Sequence, residues 1–545
     1  MPIRPVLQQI IAKCLLELGV AVVPEQVGLE RPLRPEHGDW STNAALVHAG
    51  RAGLAPRELA GRLAELLSVA RVPHLESLEV AGPGFVNIHL QTNWLHDVLR
   101  DVVAQGEVSY AASDAGGGER VQIEFVSANP TGPLHVGNGW WGAYGDSLAR
   151  VMQRCGYTVL REYYVNDTGG QITLLGESLL ARRRGEEPPE GGYQGDYLAG
   201  LADEYAGPDE AAAAGRWASE RILSGIVETL ASISISFDEW YSQASVEESG
   251  AVEETVGILR AKGLVEEREG ALWFRSSELG DSRDRVLVRS GGEPTYLGGD
   301  LAYHRDKFLV RGFDRVVDIF GADHHGQVAS LKAGVEALGI EPERLEVLLG
   351  QMVSLVEGGK TGRMSKRAGN FVPLDDLVAD IGPDAVRLLA LNASLDQATN
   401  LDLDLVREQS MENPVYYVQY AHARIASMER VRREREIARI EITGCDLGVL
   451  KDARELDLLR RLEEFPDIVA EACAERAPHK VTAWVRRLAG AFHGFYHDCP
   501  VLALSGAGDP TSLALMQARL WLVEGARIGF AIALSLIGIS APEKM

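Results

Sequence analysis

The chain has 545 residues, too many for one hydrophobic core, so about three or four domains are expected. Hydrophobic residues make up 46% and charged residues 24%, the balance of a globular protein rather than a disordered or low-complexity one. Formal net charge is −24, from 54 Lys+Arg against 78 Asp+Glu, which argues against indiscriminate polyanion binding and requires any nucleic-acid contact to be local.

The first 110 residues read as a separate α/β module. Ile10, Ile11, Cys14, Leu15 and Leu18 form one helical stripe, and Leu59, Leu63, Leu66 and Leu67 another. After the turn Gly82-Pro83-Gly84, Phe85 to Leu90 alternates as a strand does. The start of the chain lacks a secretory apolar core, because Lys13 and Glu17 interrupt it. A small, Gly-rich linker runs from Ala111 to Gly118.

Val121 to Val126 is a run of strand-forming residues, and Pro130, Gly132 and Pro133 then break the chain. A helix is expected after Gly137, so His135, Gly137 and Asn138 fall where a strand hands over to a helix. Free backbone N–H groups there favour an anion such as phosphate. Gly137 is expected to let a flat ligand lie close to the backbone. Residues 176–290, rich in Ala and Glu after a Gly/Pro break at 185–195, read as a mostly helical insertion. Val316 to Phe320 and Leu345 to Leu349 restore the pattern of buried parallel strands, with a helix carrying Val328, Leu331, Val335 and Leu338 between them. Alternating strands and helices over 119–405 predict a doubly wound, Rossmann-like sheet with its ligand crevice at the carboxyl ends of the strands. Gly358, Gly359 and Lys360 precede a cationic loop, Arg363-Met364-Ser365-Lys366-Arg367, suited to closing over phosphates.

Beyond about residue 410 strand signals vanish. Val415, Val418, Ala421, Ile425 and Met428 line one helix face, and later stripes run through Leu456, Leu459 and Leu462, then Leu520, Val523, Ile528, Ala531 and Leu534. The span 410–545 is therefore expected to be an all-α bundle. Two cationic clusters, Arg182 to Arg184 and Arg424 with Arg430, Arg432, Arg433 and Arg435, are candidate RNA contacts. The five cysteines, Cys14, Cys155, Cys445, Cys473 and Cys499, form no CxxC pair, and neither a disulfide framework nor a zinc site is expected. No uninterrupted apolar run reaches membrane-spanning length.

Longer words in the sequence carry more. Glu124-Phe-Val-Ser-Ala-Asn-Pro-Thr-Gly-Pro-Leu-His-Val-Gly, Tyr163-Tyr-Val-Asn-Asp, Gly321-Ala-Asp-His-His-Gly, Met364-Ser-Lys-Arg-Ala-Gly-Asn and Gln419-Tyr-Ala-His-Ala-Arg resemble the arginyl-tRNA synthetases of bacterial type, within the class I aminoacyl-tRNA synthetases. The resemblance runs nearly end to end. It implies a multidomain α/β enzyme: an N-terminal module that touches tRNA, a class I catalytic domain with an insertion, and a helical anticodon-binding domain. It implies ATP-dependent activation of L-arginine to arginyl-adenylate, then transfer to tRNA(Arg), with AMP and pyrophosphate released. Catalysis would fall to His135, Asn138 and Lys366, with ATP also held by Gly137, Arg363, Met364, Ser365 and Arg367. Glu124, Ser127, Asn129, Tyr296, Asp300 and His324 would bind arginine, and Tyr420, His422, Arg424 and Met545 would meet tRNA. Mg²⁺ would arrive with ATP, with no protein metal site and no tightly bound cofactor; Asp323, His324 and His325 make a poor ligand set because neighbouring side chains diverge. A cytoplasmic monomer without DNA or membrane partners is implied.

The chain departs from the pattern twice: Asn138 stands where His is usual, and Arg363 where Lys is usual. A nucleotidyltransferase with a similar His-x-Gly turn is a competing reading, but it does not require the long helical region. A non-catalytic RNA-binding relative is another, but His135 and Lys366 are both present.

Overall fold

A computed structural model describes residues 3–32, 34–351, 353–357, 360–362, 372–408, 410–502 and 510–545. The cationic loop Arg363, Met364, Ser365, Lys366 and Arg367 lies outside the described residues. Two compact units are present. One comprises residues 1–110, 427–465 and 490–529; the other comprises 111–426, 466–489 and 530–545.

In the first unit, helix α1 (Ile3–Glu17) is followed by strands β1 (Leu29–Glu30) and β2 (Trp40–Thr42), helices α2 (Ala44–Ala52) and α3 (Pro56–Val69), the hairpin β3 (Leu75–Ala81) and β4 (Phe85–Leu90), and helix α4 (Asn93–Ser109). The antiparallel sheet has the order β1-β2-β4-β3. Strand β4 is central, which explains why Val86, Asn87 and Ile88 are all buried instead of alternating. Leu59, Leu63 and Leu67 of α3 are buried, as are Ile11, Cys14 and Leu15 of α1.

The second unit is built on strands β5 (Arg120–Glu124), β6 (Thr158–Val165) and β7 (Glu239–Ser242). Helix α5 (Val136–Arg154) joins the first two strands, and α6 (Gly170–Arg183), α7 (Asp196–Glu204) and α8 (Ala211–Ser232) lead to the third. Helices α9 (Gln243–Glu248) and α10 (Ala251–Ala261) precede a small antiparallel sheet, β8 (Val265–Arg268), β9 (Ala271–Phe274) and β10 (Arg285–Val288). The region read as a mostly helical insertion therefore also contains strands. Strand β7 escaped the helical reading because it is only four residues long and closely flanked by helices; it pairs in parallel with β6 from Glu162↔Glu239 to Val165↔Ser242.

Helix α11 (Tyr296–Arg305) runs into a π-helical turn, Asp306–Val310. Strand β11 (Arg315–Gly321), helix α12 (His325–Ala337) and strand β12 (Leu345–Gly350) complete a five-stranded parallel sheet of order β12-β11-β5-β6-β7. The strand sequence reverses between β5 and β11, so the fold places its ligand crevice there. A second small sheet joins β13 (Val353–Glu357), β14 (Lys360–Gly362) and β15 (Thr399–Asp402), with helices α13 (Leu374–Ile381), α14 (Pro383–Ala390) and α15 (Leu403–Arg407) around it.

Helices α16 (Pro414–Glu434), α17 (Ala453–Ala474), α18 (His479–Asp498) and α19 (Pro510–Ile537) follow. No strand occurs after Asp402 among the described residues. The compact units do not part near residue 410: segments 466–489 and 530–545 belong with the parallel sheet. Buried Arg387 of α14 shows why. Its guanidinium donates to the Ile537 carbonyl at 2.8 Å, the Ile233 carbonyl at 2.9 Å and Asp146 Oδ2 at 2.6 Å. Within α19, Ser512–Ile537 is long and apolar enough to cross a membrane, although Arg519, Glu524 and Arg527 interrupt it; 72% of its most apolar window is buried in the protein, the behaviour of a core helix. All five cysteines are free and buried.

Candidate active site at the carboxyl ends of the strands

Strand β5 ends in Glu124, and the chain then twists through two non-glycine residues of positive φ, Val126 at 69° and Ser127 at 37°. That conformation is strained, most of all for a β-branched residue, and is kept only where neighbours fix it. Here they do. The Ser127 hydroxyl donates to Glu124 Oε1 at 3.0 Å and accepts from the Tyr164 N–H at 3.0 Å, while the Tyr163 hydroxyl donates to the Ala128 carbonyl at 2.7 Å. Asn129 Nδ2 donates to Gln171 Oε1 at 2.7 Å.

His135 is the N-cap of α5. Its Nδ1 accepts from the Asn138 N–H at 3.2 Å, and its own N–H donates to Asn138 Oδ1 at 3.1 Å, a reciprocal capping box. An Nδ1 that accepts places the proton of a neutral imidazole on Nε2, which makes Nε2 a donor. Buried Asn138 thus uses its amide oxygen to hold the histidine backbone, a role an imidazole nitrogen can also fill. Gly137 also serves a neighbouring side chain. A Cβ there would come within 3.0 Å of Cε1 and 3.1 Å of Nδ1 of His135, so the glycine gives room to the His135 ring itself. Beneath lies Trp141, whose indole occupies the space that side chains at Gly321 and Gly350, partners at the ends of β11 and β12, would fill.

The segment that follows the cationic loop in sequence lies close by. The Leu374 N–H donates to the Leu134 carbonyl at 2.8 Å, next to His135. His135 and Pro373 form an isolated antiparallel bridge.

An acidic pocket completes the crevice. Asp318 of β11 stands level with Glu124 of β5, and both carboxylates are buried. Lys307, fully buried on the π-helical turn, bridges them, 2.7 Å from Glu124 Oε2 and 2.9 Å from Asp318 Oδ1. Burial pulls the Asp318 carboxyl up, but Lys307 and His304 outweigh it and hold the group at about 2. Burial also pushes Glu124 up, with Lys307 opposing. Asp300, one helical turn after Tyr296, is raised to about 6 by burial against the pull of His304. Burial raises the Tyr164 hydroxyl, and the carboxylates of Asp300, Glu124, Glu247 and Asp167 raise it further. A cluster of that charge suits a cation of several donors. Lys307, His304, Asp318, Glu247 and Gln171 were not singled out in the sequence; the first three are ionisable groups whose burial has no local signal, and the last two are exposed.

Other expected site residues stand further from this cluster or toward solvent. Tyr296 is 69% exposed. His324 is exposed, with Nδ1 3.3 Å from Gln327 Oε1, and His325 is exposed beside it. On α16, Arg424 lies over the Tyr420 ring at 4.3 Å, Tyr416 and Tyr420 stack at 5.4 Å, and His422 Nδ1 lies 3.0 Å from the Pro542 carbonyl. Met545 and Tyr416 line a cleft of about 480 Å³ with Arg407 and Gln419. The expected basic patches are partly neutralised internally. Arg432 and Arg433 both pair with Glu429, at 2.7 and 2.9 Å, because it lies one helical turn before them; Arg183 and Arg184 both reach Asp209 at 3.1 Å.

Comparison with known proteins gives the class. The family model described as the tRNA synthetases class I (R) catalytic domain matches residues 220–429, flanked by matches to the arginyl tRNA synthetase N terminal domain at 5–90 and the DALR anticodon binding domain at 418–545. The fold is that of the solved Thermus thermophilus arginyl-tRNA synthetase, with a TM-score of 0.78 and 22% identity, covering 99% of this chain and 100% of that one. Among curated relatives, the arginine–tRNA ligase of Carboxydothermus hydrogenoformans is 43% identical over 533 residues, 95% of this chain and 94% of that one. That of Desulforamulus reducens is 42% identical over 539 residues, 96% of this chain and 94% of that one. The chain belongs to the arginine–tRNA ligase family, and it is an enzyme of the class I aminoacyl-tRNA synthetases.

Proposed function

We propose that the crevice activates L-arginine with ATP and passes the arginyl group to tRNA(Arg), releasing pyrophosphate and then AMP. The observation that carries this reading is the meeting, at one switch point, of an α5 N-terminus capped by His135 with a pocket lined by Asp300, Glu124 and Tyr164. The helix end with the His135 donor suits the phosphates of ATP, and the carboxylates suit the substrate's two cationic groups. Asp300, with Tyr296, takes the guanidinium; Glu124, Ser127 and Asn129 take the α-amino end; His324 borders the pocket. Lys366, with Arg363, Met364, Ser365 and Arg367, closes from the loop on the β- and γ-phosphates while Gly137 and Asn138 keep His135 in place. The arginine carboxylate then attacks the α-phosphorus and charge shifts onto departing pyrophosphate, a step driven by positioning and electrostatics.

Mg²⁺ enters with ATP as part of the substrate. Tyr420, His422, Arg424 and Met545 meet the anticodon arm of tRNA, where a ring stacked under a guanidinium offers a surface for an unpaired base. Residues 1–110 serve as the N-terminal tRNA-contacting domain, 119–405 as the catalytic domain with its insertion at about 176–290, and 410–545 as the anticodon-binding domain. The enzyme works in the cytoplasm as a monomer. Charging of tRNA(Arg) with labelled arginine and ATP tests the reading: acid-precipitable arginine is expected, and none, with tRNA of proven acceptor capacity, would overturn it.

A further inference from the structure

The Gly/Pro-rich break at 185–195 is a strap folded onto α6, not a slack linker. The Tyr193 N–H donates to Ser178 Oγ at 3.0 Å, and the Ser178 hydroxyl donates in turn to the Leu174 carbonyl at 2.7 Å. Gly192 lies so close that a Cβ there would come within 2.7 Å of Ser178 Oγ. Positive φ at Gly191 (76°) and Gly195 (131°) turns the chain into α7, whose first turn carries Tyr197. The Tyr197 hydroxyl donates to the Thr131 carbonyl at 2.9 Å. Chemistry fixes that direction, since a carbonyl oxygen only accepts. The ring also fills the space beside Gly132, where a Cβ would meet the hydroxyl oxygen at 3.3 Å and Cζ at 3.4 Å.

We propose that Tyr197 is a positioning residue for adenylate formation, holding the turn at 131–133 so that Asn129 and His135, on either side of it, bring arginine and ATP together in register. Within the turn the Thr131 N–H donates to the Asn129 carbonyl at 2.8 Å. On the side toward His135, the Leu374 N–H holds the Leu134 carbonyl at 2.8 Å. On the other side, the side-chain amides of Asn129 and Gln171 meet at 2.7 Å. Between these two ties stands the contact from Tyr197. Thr131 is buried, so without the phenol its carbonyl must reach for another donor, and the turn shifts to let it. A carboxylate attacking phosphorus is sensitive to such shifts, because the reacting atoms have to meet at about 3–3.5 Å with their orbitals aligned. Tyr197 thus acts through the backbone between two residues that meet the substrates.

The inference rests on the reading that Asn129 and His135 hold arginine and ATP, and the test separates the two. Single-turnover adenylate formation at saturating arginine and ATP is measured in the full chain for wild type, Tyr197→Phe, His135→Ala and the double variant, with rates taken per active site. Tyr197→Phe keeps the ring on Gly132 and removes only the donor. Its rate is expected to fall roughly tenfold, while calorimetric affinities for arginine and for ATP stay within about threefold of wild type. A merely structural role would lower the melting temperature and leave the saturated rate alone. In the His135→Ala background the same substitution should cost less than about twofold, because a turn that no longer presents the imidazole has less alignment left to lose. A wild-type rate for Tyr197→Phe, a loss confined to affinity, or an undiminished loss in the His135→Ala background would overturn the proposal. Should His135→Ala itself form adenylate at the wild-type rate, the ATP-site reading fails instead. If Tyr197→Phe does not fold, Ser178→Ala decides: it frees the Tyr193 N–H, slackens the strap, and must slow adenylate formation at saturation. A wild-type rate there refutes the inference.

Discussion

Asp300→Asn should weaken arginine binding and at the same time stabilise the free protein. Asp300 is raised to about 6 by burial, from an ordinary value of 3.8. In the unfolded chain the carboxyl ionises near pH 4, but in the folded chain only near pH 6. Ionisation therefore costs more in the folded state, and the penalty grows between pH 4 and pH 6 and is complete above it. A shift of about two units sets a ceiling of about 3 kcal/mol. Asp300 as a whole residue is only half-buried, which lowers the expected gain to about 1–2 kcal/mol. Removing the carboxylate partner of a buried guanidinium costs about 3–5 kcal/mol, so arginine affinity should fall by two to three powers of ten. Thermal or urea melts without ligand at pH 4.5 and pH 8, with calorimetric arginine titration at pH 8, read both effects. The variant should gain stability at pH 8 and much less at pH 4.5. A variant that is destabilised at pH 8, or that binds arginine within a few-fold of wild type, refutes the reasoning.

The remaining predictions concern the rest of the crevice. Asn138→Ala removes the acceptor of the His135 N–H and should cost about 1 kcal/mol in a denaturant melt, with a higher ATP KM; Asn138→His, which restores an acceptor, should keep most activity. Lys366→Ala should slow adenylate formation in pre-steady-state assays by an amount equivalent to about 2–4 kcal/mol while calorimetric arginine affinity stays level; an unchanged rate removes Lys366 from catalysis. In wild type, arginine affinity measured by calorimetry should weaken as pH falls through 6, because Asp300 then takes up a proton. Deleting the chain from residue 410 should give insoluble protein, since Arg387 loses the Ile537 carbonyl and Tyr144 loses the Arg476 carbonyl; a soluble, cooperatively melting fragment would contradict the division into compact units.

The handover from β5 to α5 was legible because Val121 to Val126, the Pro130 and Pro133 breaks and the small residues after His135 are local signals. The parallel sheet core was legible for the same reason at Val316 to Phe320. Strand β7 was not, because its membership depends on pairing with β6 across more than seventy residues, and nothing local separates four such residues from a loop. The charged network was hidden more thoroughly. Tyr303-His304-Arg305-Asp306-Lys307 reads as a polar helix end, yet a π-helical turn carries Lys307 into contact with Glu124, 183 positions away in sequence. Asn138 read as a tolerated departure from the family pattern with no role of its own legible, and only the geometry shows its oxygen on the His135 backbone. The arginine clusters were only partly legible, since composition counts the cations of Arg432 and Arg433 but not the helical turn that brings Glu429 to both.

The account stands on the crevice choosing arginine and joining it to AMP. ATP–pyrophosphate exchange with each of the twenty amino acids in turn, with and without tRNA(Arg), measures that choice directly. Exchange that requires arginine, and is lost in Asp300→Asn and Lys366→Ala, is the predicted result. Exchange supported equally by another amino acid, or arginine-dependent exchange at wild-type rate in both variants, would contradict it.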